Sequence, residues 1–310
     1  MRTILLWMAR NRTLRERLPR LRFVRRAVRR FMPGEDPDSA FAAAAPLAEA
    51  GQGILFTRLG ENLTELAEAD EVAAHYRSIL EQAATLGRRI DLSVKPTQVG
   101  LDIDAEACFA HLDDLATRTE AAGSWLWLDM EGAPYVDPTL DLYERLKAQH
   151  RNVGICLQAY LRRTPADLHR LLPIAPAVRL VKGAYDEPAT IAYRTRPEVD
   201  AAYQALALIL AEAARTDEAQ QRGARCALGT HDSGLVERIA TFTEAAAIPR
   251  DRLEVHMLFG IRAAELRRLA ADGFPAFTLV AYGNYWYPWY MRRLAERPAN
   301  VLFALRQLLP

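Results

Sequence analysis

Residues 153–185 read VGICLQAYLRRTPADLHRLLPIAPAVRLVKGAY, and this stretch decides the fold. It opens with an apolar run, Val153–Gln158, passes through a helical pattern over 164–172, and closes with a second apolar run, Val178–Lys182. A strand, a helix and a strand in so short a span form a parallel pair with a helical crossover. Outward from it, the same unit repeats. Upstream lie the runs Ile54–Arg58, Ile90–Lys95 and Trp125–Asp129; downstream lie Arg225–Gly229, Leu253–Leu258 and Phe277–Tyr282. Helical patterns at 62–86, 105–121, 138–149, 198–214, 232–245, 261–271 and 288–296 separate and follow them. Eight strand–helix units in about 250 residues predict an α/β fold, a TIM-like (β/α)8 barrel. A doubly wound open sheet fits less well. No Gly-x-Gly-x-x-Gly follows any strand, so any nucleotide cofactor is not held in the Rossmann manner.

The 310 residues carry 40 basic and 39 acidic side chains, and half are hydrophobic. That composition suits a globular chain with a large core and excludes a disordered tail, a collagen-like repeat and a disulfide-rich module. The charge is unevenly placed. Residues 1–33 hold 11 Arg, no Lys and one acid, Glu16, so the remainder is net acidic. A main body of that sign does not bind nucleic acid in bulk. Leu14, Leu18, Leu21, Val24 and Val28 recur at helical spacing with arginines on the other face, and Pro33-Gly34 ends the pattern. Such a helix either packs on the main domain with a solvated basic face or lies on a membrane surface or acidic partner. Residues 1–50, with an Ala-rich helix at 40–50, are expected as extra N-terminal helices in a basic amphipathic arm, and 51–310 as the catalytic barrel. Cys108, Cys156 and Cys226 are isolated, and the six histidines are dispersed, so no metal site is expected. Cys156 and Cys226, in apolar runs, read as small core residues in a reducing compartment. No apolar run reaches the roughly 18 residues needed to span a bilayer.

In a barrel, reactive side chains stand at the C-terminal ends of the strands. Those ends here carry Lys95; Asp129 and Glu131; Gln158; Arg179, Lys182, Gly183, Ala184 and Tyr185; Thr230, His231 and Asp232; His256, Leu258 and Gly260; and Tyr282-Gly283. Arg179 and Lys182 interrupt an apolar run, where an unpaired charge is costly, so an anionic side chain or ligand is expected beside them. The pattern at 288–296 places Glu296 within pairing reach of Arg292 and Arg293, whose guanidinium forks suit a small carboxylate. Two other readings stay open on the residues alone. Lys182, next to Arg179, could be the Schiff-base nucleophile of an aldolase or lyase. The chain could also be a non-catalytic module that works through its basic helix.

The motifs FTRLGEN (56–62), SVKPTQVGLDID (93–104), LDMEG (128–132), LQAY (157–160), RLVKGAYDEP (179–188), THDS (230–233), HMLFGIR (256–262) and YMRRLAERPAN (290–300) together resemble the FAD-dependent proline dehydrogenases of the short monofunctional bacterial type. The resemblance spans roughly residues 50–305 in matching order, and RLVKGAY and the Arg-Arg-x-x-Glu of the last helix are its specific parts. It implies oxidation of L-proline to Δ1-pyrroline-5-carboxylate by hydride transfer to FAD, with electrons passing to a quinone or another acceptor. It implies a cytoplasmic enzyme, and a membrane quinone as acceptor would give the basic helix a role as a peripheral contact at the inner face of the cell membrane in place of packing on the main domain. By position, Gln158, Arg179, Lys182, Gly183, Ala184, Thr195, Arg196, Thr230 and His231 match the flavin-binding set, with Arg196 where the family usually has Lys. Lys95, Asp129, Tyr185, Leu258, Leu279 and Tyr290 match the substrate walls. Arg292 and Arg293 match the carboxylate clamp, and Glu296 its ion-pair partner. Lys95, Asp129 and Arg179 are the expected catalytic groups, with Lys95 and Asp129 as a charge pair closing the pocket. Leu279 and Ala281 depart from the family's Tyr-x-Pro, and His256 stands where Gln is common. Hydroxyproline, pipecolate or another ring-modified proline is therefore the alternative substrate.

Overall fold

Each of the eight expected apolar runs forms a strand in a computed structural model, which describes residue 11, residues 28–60 and residues 63–287. The strands are β1 (Gly53–Arg58), β2 (Asp91–Val94), β3 (Leu126–Leu128), β4 (Val153–Gln158), β5 (Ala177–Val181), β6 (Arg225–Gly229), β7 (Leu253–Leu258) and β8 (Ala276–Tyr282). They close into a barrel in sequence order, every pair parallel, with β1 joined to β8 from Gly53–Phe277 to Arg58–Tyr282. Ahead of β1 stands α1 (Pro37–Glu49). Between the strands run α2 (Leu66–Thr85), α3 (Ala105–Ala121), α4 (Val136–Lys147), α5 (Thr164–Leu171), α6 (Arg196–Ala213), α7 (Asp217–Gln221), α8 (Ser233–Ala245) and α9 (Ala263–Ala271). The helical pattern at 288–296 and most of the basic N-terminal pattern lie outside the described residues.

The strands read as nearly continuous apolar runs because helices cover their outer faces and side chains fill the barrel. Inward positions alternate along each strand, and a small inner cluster of Leu55, Trp127, Ala177 and Ala227 plugs the middle. The packing is set by large–small pairs across neighbouring strands. Gly154 pairs with Trp127, and a Cβ there would lie 2.5 Å from the indole; Gly53 leaves the same kind of room for Phe277. Caps fix where the helices begin. The Asp104 carboxylate accepts from the Glu106 and Ala107 amides, and Thr195 and Glu198 cap α6 reciprocally.

The helix α1 buries Ala40, Phe41 and Ala44, with Phe41 edge-on to Phe56 of β1 at 4.9 Å. Just before it, Val28 and Met32 are buried, and the Glu35 carboxylate accepts from Trp286 Nε1 at 3.0 Å. The Arg30 carbonyl lies against Gly260 in the loop after β7, where φ of +74° and the absence of a Cβ permit the approach. The segment leading out of the basic pattern therefore rests on loops at the C-terminal end of the barrel.

Candidate active site

The lower half of the barrel is occupied by buried charge. On β6, Arg225 forks onto Glu254 of β7 with two bonds of 2.6 Å, and its guanidinium lies 4.2 Å from the Trp125 ring and 4.9 Å from that of Trp127. Asp91 of β2 accepts from the Trp125 amide at 3.1 Å; burial raises its pKa, and Arg225 works the other way. Burial also pushes Glu254 upward, but Arg225 and a hydrogen bond from His256 win and hold it at about 2. Burial brings His256 down to about 4, so the imidazole is neutral and donates Nε2–H to Glu254 at 3.1 Å.

Above this network sits Arg179 of β5, 4% exposed. It is ion-paired to Asp129 at the end of β3, donates Nη2–H to Ser93 Oγ at 2.7 Å, and directs Nε–H at Cys156 Sγ, 2.9 Å away. Ser93 in turn donates to Asp129 at 2.8 Å. The anionic partner expected for Arg179 is thus Asp129. Lys95, expected to pair with Asp129, makes no ion pair with it among the described residues; its charge acts on the buried Glu131 instead. The reason is register: β2 sends Ser93, two residues below Lys95, toward Asp129, and leaves Lys95 at the rim. Cys156, read as a core residue, is buried but lies on the floor of the open site, and burial raises its thiol to about 12.

At the rim, Lys182 is held by two carboxylates, Asp200 of α6 and Asp232 at the start of α8, the latter at 3.1 Å. Arg196 reaches the same Asp232 at 2.9 Å. Burial works against the charge of Asp232, yet these two cations hold its pKa at about 2. Asp200 had no signal at a strand end, because it comes from the second turn of a crossover helix.

These side chains surround a cavity of about 380 Å3 at the C-terminal end of the barrel. Lys95, Asp129, Gln158, Arg179, Lys182, Gly183, Ala184, Tyr185, Thr230, His231, Leu258 and Leu279 all line it, together with His256 and Cys156. Gln158 is oriented by donating to the Glu131 carbonyl at 2.7 Å, and His231 Nε2 accepts from the Leu258 amide at 3.0 Å. Leu258 and Leu279 are in register across β7 and β8 and form an apolar wall. Thr195 and Arg196 are exposed and do not line the cavity; Thr195 caps α6, and Arg196 touches the site only through Asp200 and Asp232. Tyr290, Arg292, Arg293 and Glu296 lie outside the described residues. Reading missed Ser93, Cys156, Asp200 and the Arg225–Glu254 network. Stepping two residues back from each rim position along a strand would have found Ser93, Cys156 and Glu254.

A closed (β/α)8 barrel with paired cations and an open cavity at its C-terminal end has the architecture of a barrel enzyme. The proline dehydrogenase family matches residues 40–306. "Proline dehydrogenase 1" of Bacillus subtilis is 30% identical over 309 residues, covering 100% of this chain and 99% of the relative. Proline dehydrogenase of Deinococcus radiodurans is 32% identical over 285 residues, 90% of this chain and 89% of the relative. Among solved structures, proline utilization A (PutA) from Bdellovibrio bacteriovorus shares the fold with a TM-score of 0.79 at 21% identity. That match covers 94% of this chain but only 38% of the PutA chain. The chain belongs to the proline dehydrogenase family, oxidoreductases of proline catabolism. The lyase reading of Lys182 falls with this, and the geometry agrees: an ammonium ion-paired to two aspartates has no lone pair with which to attack a carbonyl. The non-catalytic reading falls with it too.

Proposed function

We propose that the chain oxidises L-proline to Δ1-pyrroline-5-carboxylate with FAD as its cofactor. The observation that carries this reading is the arrangement around Arg179. Its Nη1 is a buried donor with no partner among the described residues, on a side chain that lines the cavity and is locked by Asp129, Ser93 and Cys156. A fixed, desolvated cation with a spare donor suits a ring ligand that gains negative charge on reduction. Gly183 lines the same cavity with a backbone held at φ of +116°, and because a Cβ would lie 2.1 Å from the Tyr160 ring no side chain can stand there. Both features fit a flavin.

Bound FAD supplies the two-electron oxidant that accepts hydride from the ring carbon. Arg179, Gln158, Thr230 and His231 hold its ring, and Lys182, Gly183, Ala184, Thr195 and Arg196 serve its phosphate-bearing chain. To reach phosphates, Lys182 and Arg196 exchange part of their pairing with Asp200 and Asp232, which keep both cations extended and near one another until then. Lys95, Asp129, Tyr185 and Tyr290 shape the substrate side. Arg292 and Arg293, steadied by Glu296, clamp the carboxylate and so fix which ring carbon is presented. The wall of Leu258 and Leu279 offers apolar surface to the ring methylenes of proline, and because such a wall rejects an added hydroxyl only weakly, hydroxyproline stays the competing substrate. Electrons pass on to a quinone or another acceptor. The basic N-terminal pattern would supply a peripheral contact at the inner face of the cell membrane, leaving the barrel of residues 51–310 in the cytoplasm.

The test is an absorption spectrum of the purified protein, followed by anaerobic L-proline. Flavin bands that bleach with L-proline support the reading. Bands that persist with L-proline but bleach with hydroxyproline or pipecolate move the substrate assignment. No flavin after reconstitution with FAD overturns it.

A further inference from the structure

His256 has no part in the proposed binding of flavin or substrate. It stands on β7 two residues before Leu258, is 4% exposed, and its ring lines the cavity. The ring is fixed on three sides. It stacks on Phe277 at 4.7 Å, meets Trp127 edge-on at 5.3 Å, and is bonded through Nε2 to Glu254. Glu254 is itself clamped by both arms of Arg225. A carboxylate held ionised by a guanidinium only accepts, so Nε2 must carry the proton and Nδ1 must present a lone pair. That Nδ1 is buried and has no partner among the described residues. A buried acceptor left unpaired is costly, so a barrel that builds four residues to hold one in place expects a donor to arrive. The neighbouring Arg179 does not supply it: its Nε and Nη2 are committed to Cys156, Ser93 and Asp129, and its Nη1 makes no bond to Nδ1.

We propose that His256 is a positioning residue whose Nδ1 accepts an N–H from the ligand bound in the cavity. This rests on the reading of the cavity as a flavin and cyclic-amine site, which contains two such donors. One is the ring N–H of the substrate amine, and the other is the imide N–H of the flavin ring. The role of Glu254 and Arg225 is to fix the tautomer: with the proton on Nδ1 the same ring would repel either donor. The neutral imidazole orients the N–H without drawing its proton away.

Nitrogen-15 NMR of histidine-labelled wild-type protein reads this bond directly. The free protein should show His256 with a protonated Nε2 and a bare Nδ1. If the donor is the flavin imide, the Nδ1 resonance moves upfield when FAD is added to apoprotein. If it is the substrate amine, it moves only when L-proline is added to holoenzyme reduced beforehand with dithionite. Tetrahydrofuran-2-carboxylate, with an ether oxygen in place of N–H, should then leave it unmoved. The variants His256→Phe and His256→Gln give a second readout. The Phe variant should weaken FAD binding, or reduce the preference for L-proline over the ether analogue, by about tenfold. The Gln variant keeps an acceptor oxygen and should retain most of that factor. A wild-type Nδ1 that stays unmoved when both FAD and L-proline bind overturns the proposal while leaving the function intact. A wild-type protein that binds no FAD overturns the functional reading instead.

Discussion

Replacing Asp129 by Asn should destabilise the fold more than removing both Asp129 and Arg179 together. Arg179 is 4% exposed and in the single variant loses the only counter-ion it has among the described residues. Ser93 Oγ and Cys156 Sγ remain as partners, but neither carries a charge that offsets the guanidinium. Breaking a buried pair from one side costs about 3–5 kcal/mol, and the Asp129 side chain, 21% exposed at the cavity edge, places this case at the low end. A loss of about 3 kcal/mol lowers Tm by roughly 5–10 °C in a chain of this size. Removing Arg179 alone, as Arg179→Met, leaves a carboxylate that water reaches from the cavity and that Ser93 still serves, so it costs less. The double variant Asp129→Asn/Arg179→Met leaves neither charge of the pair at this site and should be more stable than Asp129→Asn. The assay is thermal unfolding by circular dichroism for the four proteins of the cycle, at one pH and without added flavin. A double variant whose Tm falls by the sum of the two single losses would refute the reasoning, because it would mean the two side chains are not coupled.

The same geometry makes other predictions. Gly183→Ala forces a positive φ and drives a Cβ into the Tyr160 ring, so flavin content after purification should drop well below wild type even if the helical signal survives. Lys182→Met removes one charge-assisted donor from the proposed phosphate side, and FAD titration should show affinity down about tenfold. Gly154→Ala places a methyl 2.5 Å from Trp127 and should cost about 1–3 kcal/mol in urea unfolding, with no change expected in the electron acceptor used. The pH dependence separates two groups. The folded pKa of Glu254, about 2, lies below the unfolded value of about 4.3, so its contribution is present above that value and is lost as pH falls toward 2. Glu254→Gln should therefore be less stable than wild type at neutral pH and show a flatter acid limb. Folded His256, at about 4 against about 6.5 unfolded, makes stability rise with pH across that interval, and His256→Gln should remove that slope.

The barrel was legible because each crossover leaves two independent marks, an apolar run buried on both faces and a helical stripe beside it. Those marks survive in a single line of residues, and β4, β6 and β7 carry the expected bounds. The rim was legible for the same reason: a charge that breaks an apolar run, as Arg179 and Lys182 do, stands out at its own position in the chain. What the chain alone determined, then, is the repeat, the closure it implies and the side chains at the strand ends, all of which depend on spacing along one segment. The partners were decided only by tertiary structure. Whether Asp129 meets Lys95 or Arg179 depends on stagger between strands, which shifts by one side-chain layer around a tilted barrel. That Lys182 meets Asp200, 18 residues on, and Asp232, 50 residues on, depends on where two crossover helices begin. Which nitrogen of His256 carries the proton depends on Arg225 holding Glu254 ionised from the neighbouring strand. Hydrogen bonds and charge pairs act across the barrel over a few ångströms, and closure brings together residues whose separation in sequence carries no trace of the contact.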